Sequence, residues 1–427
     1  MSVSLSLRLG WRSFLRHKRR SIITGAAISF SLALMLFFVG FSRDAHERMI
    51  EQGVRLGVGH VVVQGKGYQH EQSLDHLVAD PAAVAKIARS LPGVRHVATR
   101  LAGDALIAAG EHSAAIRVTG VDSRAEVKAS VLPTKRVKGH YLHSEVGRSE
   151  VGRGARRGPA DIFLGVKLAR KLEVAVGDRV VLRVAPRTGG KTQAAAFVVC
   201  GLFRTGVAQI DAFYGEIPIA SARDLLRAGH AATQVALLLD DAETSRHTAQ
   251  ELQAKLKGMA VPVEVLPWEV ALRELYDGLV LDSGSMYVML AIIFILMTIG
   301  IFNTMLMSVI ERTRELGVMM AIGTSRGRLF SMVLAEATML AIVASGVGLG
   351  IGYGLHRWLA ATGIDLGKLY GDMEFAGITT SGMVYSHLSV EAMVGWTLTT
   401  VVLVLLSALY PAYRATRLQP VDAMRHV

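Results

Sequence analysis

The hydrophobic positions of this chain collect in four long runs. Residues 21–41 carry no charge, residues 283–310 none, residues 392–413 none, and residues 329–355 only Glu336. A bilayer core is crossed by about 20 apolar helical residues. The pattern therefore predicts four transmembrane helices, at 21–42, 283–310, 329–355 and 392–413. The first run follows a basic stretch, as a signal peptide would. It is longer than the usual apolar region, and "FSRDAHERM" follows it where a small-residue cleavage site would stand, so it reads as a retained anchor.

Between the first two runs the period changes. In residues 43–282, short β-branched segments ("HVVVQG", "SAAIRVTGVD", "FVVCGLF", "TQVALLLD", "VPVEVLP") alternate with helical ones ("PAAVAKIARS", "SARDLLRAG", "AETSRHTAQELQAKLKGM") and with Pro-Gly and Gly-Asp turns. "SARDLLRAG" offers a Ser cap and a Gly stop. Both ends of this region look helical: "SRDAHERMIEQGVRLG" extends the first span. Trp268, Leu272, Leu275 and Leu279, at helical spacing, form a stalk into the second. The fold class is thus membrane α-helical, four transmembrane helices with a large extracytoplasmic α+β domain between helices 1 and 2.

Charge gives the orientation, because Lys and Arg near span ends stay cytoplasmic. Residues 1–20 hold six basic residues and no acid; residues 311–328 hold four Arg against two Glu; residues 414–427 hold three Arg against one Asp. The short loop 356–391 holds two basic residues against four acidic. The segments 1–20, 311–328 and 414–427 are therefore expected in the cytoplasm, and 43–282 and 356–391 outside. The net charge of +12 partly reflects this topology; no nucleic-acid module accompanies it.

Candidate chemistry is sparse. "APRTGGKT" at 185–192 fits a relaxed phosphate-binding loop, but such a loop needs a helix behind it. The strand-like "QAAAFVVCGLF" follows instead, and a hairpin turn is the better reading. His140 and His143 flank Tyr141 as an i, i+3 pair, which by itself indicates surface histidines rather than a metal site. Cys200, the one cysteine, has no intrachain partner and reads as a small buried strand residue. No H-E-x-x-H occurs.

The informative segment lies between the second and third runs: "SVIERTRELGVMMAIGTSRGRLF". Glu311 and Glu315 are one helical turn apart, and Glu311 and Arg314 are i, i+3 neighbours. Val318, Met319, Met320 and Ile322 offer an apolar face. Gly323 can end the helix and Ser325 can cap the next. In the third run, Gly346, Gly348, Gly350, Gly352 and Gly354 provide the four-residue spacing that lets membrane helices approach closely. Gly346, Gly350 and Gly354 are taken as the packing stripe. Glu336 is expected to bond Arg328 or the charged helix. Thr298, Gly300, Asn303 and Thr304 on the second span are candidates for hydrogen bonds between membrane helices.

"ERTRELGVMMAIGTSRGRLFSMVLAEA" resembles the signature of the FtsX/MacB-type permeases of ABC transporters. "YPAYRATRLQPVDAMRHV" resembles that family's C-terminal signature and "HKRRSIITGAAIS" its start. The external stretches "VKGHYL", "FLGVKLARKLEVAVGDRV" and "GLFRTGVAQIDAFYGEIPI" are most similar to the lipoprotein-releasing, LolC/LolE-like permeases. The resemblance implies that residues 311–323 are a coupling helix docking on a separate cytoplasmic ABC ATPase dimer. Glu311, Arg312, Arg314 and Glu315 would make its polar contacts, Gly317 would permit close approach, and Gly323 would end it. It implies no cofactor in this chain, ATP and Mg being bound by the ATPase. It also implies a second permease subunit, a lipoprotein substrate with a periplasmic chaperone, and a place in the bacterial inner membrane with both termini cytoplasmic. MacB/FtsX-like mechanotransmission, driving efflux or a cell-wall hydrolase, is the alternative. A receptor that transports nothing is the alternative of a different class.

Overall fold

The computed structural model describes residues 18–143, 159–184, 192–257, 262–365, 373–375, 378–380 and 383–417. The chain divides into two compact units. One comprises Met1–Glu47, Leu281–Asp365 and Gly382–Val427; the other comprises Arg48–Val280 and Leu366–Ser381. Five helices are labelled here: α1 Lys18–Gly53, α2 Arg273–Glu311, α3 Thr313–Ala321, α4 Arg326–Thr362 and α5 Val390–Thr416. α1, α2, α4 and α5 are each long and apolar enough to cross a membrane. They run past the apolar segments read from sequence, because the flanking polar residues continue the helix.

In the first unit, small residues set the packing. Ala337, Ala341, Ala344, Gly348 and Gly352 line the buried side of α4, and Val404, Ala408, Ala412 and Ala415 that of α5. The spacing is three to four residues, so each seam stays on one side of its helix and the backbones come close. Against α1 the approach is closer still. A Cβ on Gly348 would lie 2.8 Å from the Ser29 carbonyl oxygen and 2.9 Å from Ser29 Cα; one on Gly352 would lie 2.8 Å from Leu36 Cδ1. The Ser29 hydroxyl donates to the Ala344 carbonyl at 2.7 Å, which fixes the register. A Cβ on Gly346, Gly350 or Gly354 would meet nothing within 4 Å among the described residues. Within the chain, then, the helix-packing stripe is Gly348 and Gly352, one face away from the stripe expected from sequence. Where the chain leaves the far ends of these helices, Asp44 accepts the Tyr385 N–H at 2.9 Å, and His46 bonds Asp282 at 2.7 Å.

The second unit is built on a ten-stranded sheet. The strands are β1 Val61–Gly65, β2 Val94–Ala109, β3 His112–Val121, β4 Arg136–Gly139, β5 Ala160–Gly165, β6 Arg179–Val184, β7 Gln193–Phe203, β8 Tyr214–Pro218, β9 Gln234–Leu239 and β10 Val263–Pro267. Their order is β10-β1-β9-β2-β3-β8-β5-β7-β4, with β6 pairing β2 and β7. The pairs β3–β8 and β5–β7 are parallel. The helices Pro81–Arg89 and Ser245–Lys255 cover β1 and β9 through Val84, Ala88, Ala249 and Leu252. Asp80 caps the first of these, accepting the Ala83 N–H at 2.9 Å, with Pro81 at its first position. The helix read from "SARDLLRAG" begins earlier, at Ile219, so Ser221 lies inside it; it ends on Arg227, at φ +51°, rather than on a glycine. Val184 pairs with Gln193 at the open end of the antiparallel β6–β7 pair. The loop 185–191 itself lies outside the described residues, and a strand rather than a helix follows it. Cys200 is buried on β7. Leu275 and Leu279, read as stalk, pack with Val54, Ala98 and Leu238. The helical phase breaks at Leu272, whose φ of −112° and ψ of 53° separate Trp268–Ala271 from α2.

A charged network is sealed inside this unit. Arg100 holds Glu126 through its Nε at 3.1 Å and its Nη2 at 2.6 Å, and it also donates to the Gly57 carbonyl. Glu216 is fully buried and accepts from the Tyr141 hydroxyl at 2.7 Å. Burial, with the nearby Glu126 carboxylate, pushes the Glu216 carboxyl up to about 8. Its folded value lies above the usual 4.5, so the stability it contributes is complete below pH 4.5 and is lost as pH rises toward 8. Glu216→Gln should therefore flatten the pH dependence of thermal unfolding. Relative to wild type it should stabilise the protein progressively more as pH rises from 6 to 9. Parallel melting profiles of the two proteins from pH 6 to 9 would contradict this.

Candidate coupling site

The segment between α2 and α4 is held by local rules. α2 ends at Glu311, and Arg312, at φ −101° and ψ 15°, turns the chain into α3. At the other end Gly323 adopts φ +96°. Its N–H bonds the Met320 carbonyl at 3.0 Å, and the Thr324 N–H bonds that of Met319 at 2.9 Å. A left-handed residue closing a helix in this way favours glycine. Ser325 then precedes α4, and its carbonyl accepts the Arg328 N–H at 2.9 Å.

The helix has two sides. Leu316 and Gly317 are buried, and Met319 and Met320, partly buried, pack against the core cluster that includes Leu329, Val333 and Ala415. Glu311, Arg314, Glu315, Val318, Ala321, Ile322 and Gly323 are exposed. Positions 314, 318 and 322 are one turn apart on α3 and, with the adjacent Glu315, form one stripe; Glu311 is the last residue of α2, across the turn at Arg312. The apolar face expected from sequence is therefore divided. Val318, 45% exposed, and Ile322, 78% exposed, face out; the two methionines belong to the core.

Arg312 also departs from its expected place among the outward polar contacts. Its Nη1 donates to Glu336 at 2.8 Å, with side chains only 14% and 12% exposed. Its Nε reaches Glu315 at 3.3 Å. Glu336, an acid on an otherwise apolar helix, is thereby neutralised by the charged helix; Arg328 is exposed and is not the partner. An intramembrane acid needs such a partner, and the pair ties the start of α3 to α4. Removing one member of a well-buried pair costs about 3–5 kcal/mol. Arg312→Ala should accordingly lower the melting temperature of the detergent-solubilised protein, and Arg312→Lys should recover only part of the loss. A melting temperature equal to wild type for Arg312→Ala would show that the pair contributes nothing.

Asn303 lies on the exposed side of α2, and its side chain has no hydrogen-bond partner among the described residues. The neighbouring Thr304 hydroxyl is satisfied by the Gly300 carbonyl at 2.8 Å. The site residues of sequence reasoning thus separate into an outward set, Glu311, Arg314, Glu315 and Gly323, and an inward set, Arg312 and Gly317. The partner that sequence left open, Glu336, joins the inward set.

Residues 21–255 match the MacB-like periplasmic core domain, and residues 287–420 match the FtsX-like permease C-terminal domain. The first match alone covers more than half of the chain, which therefore belongs to the FtsX/MacB/LolC family of ABC transporter permeases. Among individual relatives, the lipoprotein-releasing system transmembrane protein LolC of Xylella fastidiosa is 25% identical over 99% of this chain and 99% of its own length. The corresponding LolE of Haemophilus influenzae is 24% identical over 97% of this chain and 98% of its own. A macrolide export ATP-binding/permease protein, MacB of Rhodopirellula baltica, is 35% identical over 30% of this chain and 16% of its own length.

Proposed function

We propose that this permease couples ATP hydrolysis by a separate ATPase dimer to the extraction of lipoproteins from the inner membrane, for transfer toward the outer membrane. The observation that carries the reading is the end-to-end similarity to a relative named for lipoprotein release, over 99% of both chains. In this reading the exposed stripe Arg314, Glu315, Val318 and Ile322 of α3 meets the ATPase, with Glu311 beside it at the end of α2. Charged groups at its start set orientation, and the two apolar side chains fill the groove. ATP and Mg are held by the ATPase. The Arg312–Glu336 pair makes α3 move with α4, so displacement of the docked helix reaches the membrane unit. A second permease subunit, identical or homologous, completes the pair of ATPase contacts. The basic segments support a topology with both termini and α3 in the cytoplasm and the sheet unit in the periplasm.

The test is reconstitution. Proteoliposomes holding the permease, its co-purifying ATPase and an acylated lipoprotein should release that lipoprotein to a soluble periplasmic chaperone only when ATP is hydrolysed. ATP-dependent expulsion of small amphiphiles, with the lipoprotein retained, would move the assignment to MacB-like export. Purification of the permease with no ATPase would favour a receptor instead.

A further inference from the structure

Three strands of the sheet unit converge on one point. β4 ends at Gly139, and His140 follows with its N–H bonded to the Cys200 carbonyl at 2.9 Å. β5 contributes Asp161 and β7 contributes Cys200. The imidazole, carboxylate and thiol of these three residues lie within 4.8 Å of one another. His143 completes the group: its Nδ1 is 3.1 Å from the Asp161 carboxylate, and its ring lies edge-on to that of His140 at 4.3 Å between centroids.

The backbone is shaped to make this convergence. The β5–β7 register runs Ile162↔Val199 and then Phe163↔Gly201, so Cys200 is the extra residue of a bulge. Bulges re-aim side chains next to sites. Two glycines let β4 close on that bulge. A Cβ on Gly139, itself at φ +78°, would lie 2.7 Å from Gly201 Cα; one on Gly201 would lie 3.0 Å from the Lys138 carbonyl oxygen. With side chains at both positions His140 would be held away from Cys200.

We propose that His140, Asp161 and Cys200, with His143, form a binding site for Zn²⁺ on the sheet unit. Imidazole, carboxylate and thiolate are the donors that zinc takes, in tetrahedral sites with bonds of about 2.0–2.3 Å. Bonds of that length put neighbouring donor atoms roughly 3.3–3.8 Å apart, so 4.8 Å closes with small side-chain rotations. The 3.1 Å separation of His143 and Asp161 is already short enough. His140 is pre-oriented: its Nδ1 lies 2.9 Å from the Tyr141 carbonyl, where it donates, and Nε2 keeps the lone pair. Fixing a ligand's tautomer through its other ring nitrogen is the usual second partner of a metal-bound histidine. On binding, the Cys200 thiol gives its proton to solvent and exchanges its contact with the Ile162 carbonyl, now 3.3 Å, for the sulfur–zinc bond. The exposed histidines leave the entrance open, while Cys200, 2% exposed, forms the floor.

Cobalt(II) reports such a site through its sulfur ligand. Full-length protein in detergent, stripped with chelator, should bind one Co²⁺ per chain. The complex should show a sulfur-to-cobalt charge-transfer band and tetrahedral d–d bands, both displaced by Zn²⁺. Cys200→Ser should abolish the charge-transfer band. The surface variant His140→Ala, which does not disturb the floor, should weaken Zn²⁺ binding at least tenfold, and His247→Ala, on an exposed helix face remote in sequence, should change neither. Circular dichroism separates loss of fold from loss of a ligand. Absence of the charge-transfer band in the folded wild type, or equal Zn²⁺ affinity of wild type and His140→Ala, would overturn the proposal.

Discussion

Replacing Gly348 by leucine should unseat the first membrane helix from the third. A Cβ at this position meets the Ser29 carbonyl oxygen and Ser29 Cα at 2.8 and 2.9 Å, and Leu32 Cβ at 3.2 Å. Two of these are backbone atoms of a helix, which cannot turn aside as a flexible side chain would. Overpacking a well-filled core costs typically about 1–3 kcal/mol and occasionally more; an obstacle made of backbone belongs at the upper end. Separation of the helices would also break the Ser29–Ala344 hydrogen bond. Gly348→Leu should therefore show a lower melting temperature in detergent and faster proteolysis of the membrane helices. Gly350→Leu, with nothing within 4 Å of the added carbon among the described residues, should leave the melting of the monomer unchanged. If Gly350→Leu unfolds the monomer as readily as Gly348→Leu, the assignment of the two glycine faces is wrong. If it reduces only the dimer, the outward stripe serves the second subunit.

The two glycine faces show where sequence stops being informative. Alternate glycines from 346 to 354 satisfy the four-residue spacing on two different faces at once. Which face packs depends on Ser29, Leu32, Ala33 and Leu36, more than 300 positions away, and no local pattern encodes that. Glu336 is similar: its cost in an apolar helix was plain, while the choice of Arg312 over Arg328 depends on how α3 turns back on α4. The methionines of α3 read as a surface because their helix is short and charged; the core they enter comes from α4 and α5. The four spans, by contrast, were legible because nothing but a membrane or a deep core tolerates such charge-free lengths. The histidine pair at 140 and 143 carried too little signal alone, since Asp161 and Cys200 reach it only through the strand order β5-β7-β4.

The double substitution Glu311→Ala and Glu315→Ala should uncouple the permease from its ATPase while leaving the permease folded. Both side chains are exposed, so their loss opens no cavity. The Glu315 contact with Arg312 is half-exposed, 3.3 Å long and secondary to the Arg312–Glu336 bond; exposed pairs of this kind contribute about 0–1 kcal/mol. At an interface the arithmetic differs. Truncating one partner of a desolvated, hydrogen-bonded charge pair costs about 2–5 kcal/mol, and 1.4 kcal/mol is about tenfold in affinity. Loss of two carboxylates should weaken ATPase binding by more than about tenfold, while melting and membrane insertion stay as in wild type. Ile322→Asp should have a comparable effect from the apolar end of the stripe, because Ile322 is 78% exposed and would bring an unpaired charge into the groove. Co-purification with the ATPase and ATP-driven transport then fall together in both variants. Arg312→Ala should behave differently, lowering permease stability first and coupling as a consequence. Normal ATPase binding and normal transport by the double glutamate variant would reduce α3 to a connector between spans, and docking would have to be sought on another cytoplasmic surface.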